Sequence, residues 1–168
     1  MMGSGKSAVG RALAERLSLA FVDTDTRVEE NAGRTVVEIF ARDGEPAFRR
    51  LEAEAIESQA GRPAVVALGG GAMAQPGAPK RLRASGRVVW LRARPETLAQ
   101  RVGDAGERPL LAGLDAAARV ERLEQLLAER EIHYGQAHAA VDTDGLDVDG
   151  VCEAVMAALD GPRGEGAG

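Results

Sequence analysis

The sequence predicts a single α/β domain over residues 1–160, in which helices cover both faces of a parallel sheet in three layers. Short, continuous apolar runs at residues 64–68 and 88–91 have glycines close by, which is typical of strands buried on both faces. The segments between and after them carry apolar side chains at helical spacing. Strands that alternate with helices favour a parallel sheet. A chain of 168 residues is long enough to enclose one such core.

Helices and strands alternate along the whole chain. Further strands are predicted at residues 18–22 and 139–143. Helical periodicity predicts helices at residues 8–19, around 39–40, and at 49–60, 95–102, 115–134 and 148–159. The Asp-Gly-Glu-Pro sequence at residues 43–46 separates the second helix from the third. Residues 103–113 form a glycine-rich polar loop, and the tail 161–168 is expected to be disordered.

Composition and charge exclude several classes of function. The net charge of −5 leaves no broad cationic face, so we expect no nucleic-acid partner. No apolar run approaches the length of a membrane span and no secretory signal is recognisable, so we expect a cytoplasmic protein with no membrane partner. We also expect a monomer. Cys152 is the only cysteine, which excludes intrachain disulfides and cysteine metal clusters. His133 and His138 are expected to be structural or surface residues rather than metal ligands.

The first chemical motif is GSGKS at residues 3–7, which matches the second half of the nucleotide-binding pattern GxxxxGK[ST]. In this pattern, backbone N–H groups and a helix N-terminus surround phosphate oxygens, the lysine reaches the terminal phosphates and the serine binds Mg²⁺. Only Lys6 and Lys80 are lysines among 21 basic residues, so a lysine directly after this glycine is not incidental. The motif predicts an ATP site with Mg²⁺; a flexible, glycine-rich N-terminus is the alternative.

Two carboxylates follow the first predicted strand. Asp23 and Asp25 stand two residues apart at its end, where strand geometry would place both side chains on the same face. Ligands of parallel α/β sheets bind beyond the carboxyl ends of the strands. We therefore expect one carboxylate to serve a metal ion and the other a substrate. A solvated turn is the alternative interpretation of this motif alone.

The motifs occur in an order that resembles one family. GSGKS, FVDTD, GRTVVEIFARDGEPAFRRLEAEAI, the GGGA after VVAL, and RPLLAG follow one another along the chain. Together they resemble the shikimate kinase family throughout residues 2–160, and GEPAFRRLE and GGGA are the most specific segments. The resemblance implies a P-loop NTPase fold with a central parallel sheet. It also implies an enzyme that transfers the γ-phosphoryl group of ATP to the 3-hydroxyl of shikimate, giving 3-phosphoshikimate.

The resemblance implies a set of substrate contacts. Asp25 would hold the shikimate hydroxyls and act as base on the 3-hydroxyl. Arg49 and Arg130 would pair with the shikimate carboxylate, which suits the two-pronged guanidinium group. Gly70 would present its backbone N–H to the substrate at a place where a side chain could not fit. Glu52 would orient Arg49 from the next helical turn.

Nucleotide and metal contacts are implied as well. Arg108 of RPLLAG is similar to the family's lid arginine, which closes over the phosphates and acts with Lys6 and Asp25 in catalysis. Ser7 and Asp23 would hold Mg²⁺. The residues implied to contact ATP are Gly3, Ser4, Gly5, Lys6, Ser7, Ala8 and Arg108. Ala8 stands where the family often has threonine. Residues 144–149 lack the arginine and proline common near the adenine, so base selectivity is not predicted.

The start of the chain departs from the family pattern. The first glycine of GxxxxGK[ST] would precede Met1, and the strand that leads into this loop, central in the fold, is absent. Losing about five buried apolar side chains at about 1.5–3 kcal/mol each would remove most of a total stability of about 5–15 kcal/mol. We therefore expect the chain as written to fold poorly, and hypothesise that the protein begins further upstream.

Two other functions are considered. One is a truncated paralogue that binds nucleotide without catalysis; the presence of substrate and lid arginines together argues against it. The other is a kinase of another small carboxylated metabolite such as gluconate, to which the arginines would also be suited. The FRRLE and GGGA segments favour shikimate over gluconate.

Overall fold

A computed structural model of the protein describes residues 1–103 and 109–160. Within these residues the chain forms seven α-helices and four β-strands. In chain order they are α1 (Lys6–Leu17), β1 (Ala20–Asp23), α2 (Thr24–Ala32), α3 (Val36–Glu57), β2 (Ala64–Ala67), α4 (Ala78–Ser85), β3 (Val89–Arg92), α5 (Pro95–Val102), α6 (Ala116–Tyr134), β4 (Ala139–Asp142) and α7 (Val148–Asp160). Single 3₁₀ turns occur at Ala72–Ala74 and Pro109–Leu111.

The strands pair in parallel, as the alternating pattern predicts. β1 pairs with β2, with Ala20 opposite Ala64, and β3 pairs with β4, with Val89 opposite Ala139. In the described part of the chain these are two separate two-stranded ladders. Poor folding of the chain as written stays a prediction.

Helices cover both faces of the strands, which confirms the three-layer prediction. On one face α1 and α7 pack against the strands through Val9, Leu13, Val151 and Val155. Val65 of β2 and Leu91 of β3 both pack against this cluster, so the two strand pairs lie in one layer. On the other face a second cluster is built around the buried leucines of α4, α5 and α6, namely Leu82, Leu98, Leu123 and Leu126. A third cluster joins α2 to α3.

Helix α3 carries several candidate site residues, and its shape follows from local sequence. Its N-terminus is a capping box, in which Thr35 Oγ1 accepts from Glu38 N at 3.2 Å and the Glu38 carboxylate accepts from Thr35 N at 2.9 Å. Gly44 lies at φ 78° and ψ 172°, so α3 is two helical segments joined at a kink. The break predicted at residues 43–46 is therefore confirmed.

Two helices were not predicted. The sequence of α2, TDTRVEENA, is almost entirely polar, and Val28 is its only buried large apolar side chain. The short helix α4 contains Pro79 in its first turn and buries only Ala78, Pro79 and Leu82. Neither segment is long or periodic enough for its sequence to predict a helix. Each helix is stabilised mainly by the packing of one or two side chains against the rest of the protein.

Some of the predictions fall on residues that the structure does not describe. The predicted disordered tail, residues 161–168, lies outside the described residues, and so do residues 104–108 of the predicted lid. Among the helices of the described ranges, none combines the length and the apolar character that crossing a membrane requires.

A histidine joins the starts of β3 and β4, and its pKa predicts a pH-dependent stability. His138 Nδ1 accepts from Val88 N at 3.0 Å, and burial, with smaller effects of Arg83 and Arg87, lowers the pKa of His138 from its usual 6.5. The folded protein thus binds this proton less tightly than the unfolded chain. The contribution of neutral His138 to the stability of the folded protein is complete above pH 6.5. This contribution is lost as the pH falls through the lowered pKa of His138 in the folded state.

We expect His138→Asn, whose Oδ1 can replace Nδ1 as the acceptor, to reduce the loss of stability between about pH 7.5 and about pH 5. Urea unfolding at a series of pH values measures the effect. His133→Asn, at the other histidine of the chain, is the control and should not reproduce this reduction. Identical pH profiles for wild type and His138→Asn would contradict the assignment.

Candidate active site

A cavity of about 1110 Å³ lies beyond the carboxyl ends of the strands. Asp23 at the end of β1, Leu68 and Gly70 after β2, and Thr143 after β4 line it. This is the position at which parallel α/β sheets bind ligands, because the connecting loops converge there. The volume is large enough for two small substrates side by side.

Eleven of the twelve predicted site residues line this cavity. They are Gly3, Ser4, Gly5, Lys6, Ser7, Ala8, Asp23, Asp25, Arg49, Gly70 and Arg130. The twelfth, Arg108, lies outside the described residues. The structure therefore brings the predicted nucleotide, metal and substrate residues together in one place, although they come from five separate parts of the chain.

The phosphate loop, residues 3–7, wraps the start of α1. Gly3 and Gly5 lie at φ 73° and 85°, a backbone region that favours glycine. A Cβ on Gly3 would lie 2.6 Å from the carbonyl oxygen of Leu98, so the loop passes close to α5. Lys6 Nζ donates to Met1 O at 2.5 Å, and Ser4 Oγ donates to the same oxygen at 2.9 Å. These bonds hold the lysine over the loop, beside the helix N-terminus.

A hydroxyl and a carboxylate meet at the edge of the phosphate loop. Ser7 Oγ donates to Asp23 Oδ2 at 2.5 Å. Oxygen donors of this kind suit Mg²⁺, which keeps several waters and takes only one or two protein ligands beside the phosphates. No group of three or more His, Cys, Asp and Glu side chains that could hold a metal ion occurs among the residues that the structure covers. The hydroxyl of Ser7 and the carboxylate of Asp23 fit a Mg²⁺ ion that also binds phosphate oxygens.

The geometry of the Asp-Thr-Asp motif differs from the prediction. Asp23 ends β1, but Asp25 lies in the first turn of α2 rather than on the same strand. Asp23 caps this helix, with Oδ1 accepting from Asp25 N at 3.1 Å. The expectation that strand alternation aligns the two side chains is thus wrong, because the chain turns into a helix at Thr24. Both carboxylates nevertheless reach the cavity.

Arg49 is held between two glutamates of its own helix. Its Nη1 lies 2.7 Å from Glu52 Oε2, and its Nη2 lies 2.7 Å from Glu45 Oε1. The Glu52 side chain is 1% exposed, whereas that of Glu45 is 47% exposed. Burial raises the pKa of Glu52; the Arg49 charge opposes this effect, and the Asp25 charge adds to it. Glu52 is the buried partner that sets the position of the guanidinium group.

The triglycine turn, residues 69–71, passes directly over these charged groups. A Cβ on Gly69 would collide with Glu52 Oε1 and lie 2.7 Å from Asp25 Oδ1, and a Cβ on Gly71 would collide with the Arg49 guanidinium. A Cβ on Gly70 would make only ordinary contacts, at 3.4 Å or more. Among the protein atoms, the steric restriction therefore applies to the two neighbours of Gly70. That a side chain at position 70 could not fit beside the substrate stays a prediction.

Helix α6 supplies the opposite side of the turn. Arg130 Nη1 donates to Gly70 O at 3.1 Å, and Tyr134 Oη donates to the same oxygen at 2.5 Å. Both side chains are buried, and the Tyr134 ring packs on Trp90 with centroids 5.4 Å apart. Burial raises the pKa of Tyr134, which keeps its hydroxyl protonated. Sequence reasoning did not select Tyr134; its spacing of four residues from Arg130, on one helix face, was the available signal.

The far end of the cavity, near α7, was not predicted either. Arg101 donates from Nη1 to Thr143 Oγ1 at 2.8 Å and from Nη2 to Thr143 O at 2.7 Å. Leu146 and Val148, which are 42% and 40% exposed, line the same end. A fixed, planar guanidinium beside exposed aliphatic side chains suits a flat aromatic ring.

Comparison with known proteins decides the family. The shikimate kinase family model matches residues 2–160. The chain belongs to the shikimate kinase family. It is 48% identical to a shikimate kinase of Symbiobacterium thermophilum, over 98% of this chain and 95% of the relative. It is 46% identical to that of Moorella thermoacetica, over 94% of this chain and 90% of the relative.

Solved structures of the same family have the same fold. The chain is similar to the shikimate kinase from Acinetobacter baumannii in complex with shikimate, with a TM-score of 0.88, 33% identity, and coverage of 94% of this chain and 88% of that one. The Aquifex aeolicus shikimate kinase matches with a TM-score of 0.82, 30% identity, and coverage of 96% and 93%. The P-loop NTPase fold implied by the motifs is thereby confirmed.

The two partners of Arg49 predict different stability losses. Glu52→Ala leaves the mostly buried Arg49 charge without its buried partner, so we expect the free energy of unfolding to fall by about 3 kcal/mol. Glu45→Ala removes a partly exposed partner of the same arginine and should cost less than about 1 kcal/mol. Urea unfolding at neutral pH measures both. Equal losses for the two variants would show that burial does not distinguish the partners.

Proposed function

We propose that this protein is a shikimate kinase, which transfers the γ-phosphoryl group of ATP to the 3-hydroxyl of shikimate. One observation supports this most directly: a single cavity contains a phosphate loop, an aspartate and two buried or nearly buried arginines. The family membership agrees with it, and the A. baumannii relative was solved with shikimate. We propose that the enzyme acts as a cytoplasmic monomer, as the sequence predicts.

The nucleotide would bind along the phosphate loop. Its β- and γ-phosphates would meet the N-terminus of α1 and Lys6 Nζ, which can leave Met1 O for a phosphate oxygen. Ser7 and Asp23 would hold Mg²⁺, which neutralises phosphate charge when bound. The base would lie at the far end of the cavity, against the Arg101 guanidinium that Thr143 holds in place.

Shikimate would bind at the other end, between α3 and α6. Its carboxylate would meet the guanidinium groups of Arg49 and Arg130, which approach the triglycine turn from opposite sides. Its hydroxyls would meet Asp25, in the first turn of α2. This orientation would direct the 3-hydroxyl toward the phosphate loop. Gly70 N–H would add a backbone contact to the substrate.

The chemistry then requires little covalent participation by the protein. The 3-hydroxyl oxygen attacks the γ-phosphorus, Asp25 accepts the hydroxyl proton, and the bond to the bridging oxygen breaks so that ADP leaves. Lys6 neutralises charge on the transferred group. We propose that Arg108, which lies outside the described residues, supplies a second positive charge there.

A direct test compares substrates and lysines. A coupled assay of ADP release should show turnover with shikimate and much less with gluconate. Lys6→Ala should lower kcat/KM by about 10²–10³-fold, because it removes a charge aimed at the transferred group. Lys80→Ala, at the chain's other lysine, should change it by less than twofold. Faster turnover of gluconate would favour the alternative kinase. No turnover of either substrate by an N-terminally extended, folded protein would favour a non-catalytic paralogue.

The substrate site is tested by neighbouring arginines. Arg49→Lys should raise the KM for shikimate by about tenfold or more, since one ammonium cannot replace a two-pronged guanidinium. The KM for ATP should change by less than about twofold. Arg50→Lys is the matched control, because Arg50 adjoins Arg49 but is exposed and does not line the cavity. Equal changes in both KM values for Arg49→Lys would contradict the assignment.

A further inference from the structure

Three consecutive glycines form the turn that faces the substrate end of the cavity. Without Cβ atoms, these residues have more backbone freedom than any others, so the conformation of the turn depends on contacts from outside it. A backbone N–H binds a substrate more strongly when its direction is fixed before binding. The groups that restrain this turn are therefore of functional interest.

The peptide groups on either side of Gly70 are each fixed by a hydrogen bond. Thr24 Oγ1 accepts from Gly69 N at 2.8 Å, and Gly69 O accepts from Ala72 N at 3.1 Å. The second bond fixes the peptide plane that also carries the N–H of Gly70. The following peptide is fixed at Gly70 O by Tyr134. Thr24, Ala72 and Tyr134 thus restrain successive peptides of the turn.

Tyr134 also shares its hydrogen-bond acceptor with Arg130, which is proposed to bind the substrate. The carbonyl oxygen of Gly70 has two lone pairs, and Tyr134 Oη and Arg130 Nη1 each donate to it. The tyrosine ring is itself held against Trp90, so its hydroxyl is a fixed reference point within the core. Loss of this hydroxyl would leave Arg130 as the remaining side-chain donor to that oxygen.

We propose that Tyr134 is a positioning residue of the substrate site: its hydroxyl holds the triglycine turn so that Gly70 N–H and Arg130 meet the substrate in one fixed geometry. This inference rests on the proposed function, because shikimate is the ligand whose site is being held. Tyr134 acts through the turn and through Arg130, and takes no part in the phosphoryl transfer. The raised pKa of its buried hydroxyl keeps the donor proton in place at neutral pH.

Tyr134→Phe tests this role while keeping the ring packing on Trp90. We expect the dissociation constant for shikimate, measured by calorimetry, to rise by about 5- to 20-fold, as loss of one buried hydrogen bond predicts. The KM for ATP should change by less than about twofold. Ser85→Ala is the matched control, since Ser85 Oγ also donates to a backbone carbonyl, at 3.0 Å to Leu82 O, outside the cavity. It should change neither constant.

A second measurement needs no substrate. Amide hydrogen exchange in the ligand-free protein should be at least about fivefold faster at Gly69 and Ala72 in Tyr134→Phe than in wild type, and unchanged in Ser85→Ala. Wild-type exchange at both amides, or equal rises in both substrate constants, would overturn the proposal. If wild-type protein does not bind shikimate, the proposed function fails, whereas the exchange rates still decide whether Tyr134 holds the turn.

Discussion

The close approach of charged side chains to the triglycine turn is the constraint on which this site depends. Glu52 and Asp25 lie against Gly69, and the guanidinium group of Arg49 lies against Gly71, with no space for a Cβ at either glycine. The turn follows β2, Asp25 belongs to α2, and the other two side chains belong to α3. Because these elements meet without intervening side chains, the position of Arg49 is coupled to the end of β2.

The same turn also forms hydrogen bonds with α6 and with the start of α2. Its carbonyl at Gly70 accepts from Arg130 and Tyr134 of α6, and its N–H at Gly69 donates to Thr24 beside β1. Met2, which directly precedes the phosphate loop, lies next to it, and a Cβ on Gly70 would stand 3.4 Å from Met2 N. One short segment without side chains therefore lies beside the start of the nucleotide loop, the acidic motif and both arginines proposed to bind the substrate carboxylate. This arrangement explains how residues from distant parts of the sequence share one cavity.

The buried charges are better explained by positioning than by stability. Taking Glu52 out of water raises its pKa, and the pair with Arg49 offsets this cost only in part. Replacing a buried ion pair by apolar side chains often leaves a protein equally stable or more stable. A glutamate that is 1% exposed and faces an arginine at the cavity edge thus holds that arginine in a set direction. The second glutamate, Glu45, is exposed and can give way when an anion binds.

The amino-acid pattern alone predicted the fold class, the approximate strand positions and the residue types of the proposed site. Continuous aliphatic runs are sufficient to identify β2 and β3, and the family resemblance of the motifs predicted Lys6, Asp25, Arg49 and Arg130 as site residues. Other features depend on contacts between distant segments and became visible only in the tertiary structure. It showed that α2 forms around Val28, that Asp25 lies on a helix, and that Gly69 and Gly71, rather than Gly70, lack space for a side chain. It also revealed Thr24 and Tyr134, whose partners are 45 and 64 residues away. Local spacing carries no information on such pairs, since only the packed fold brings their atoms together.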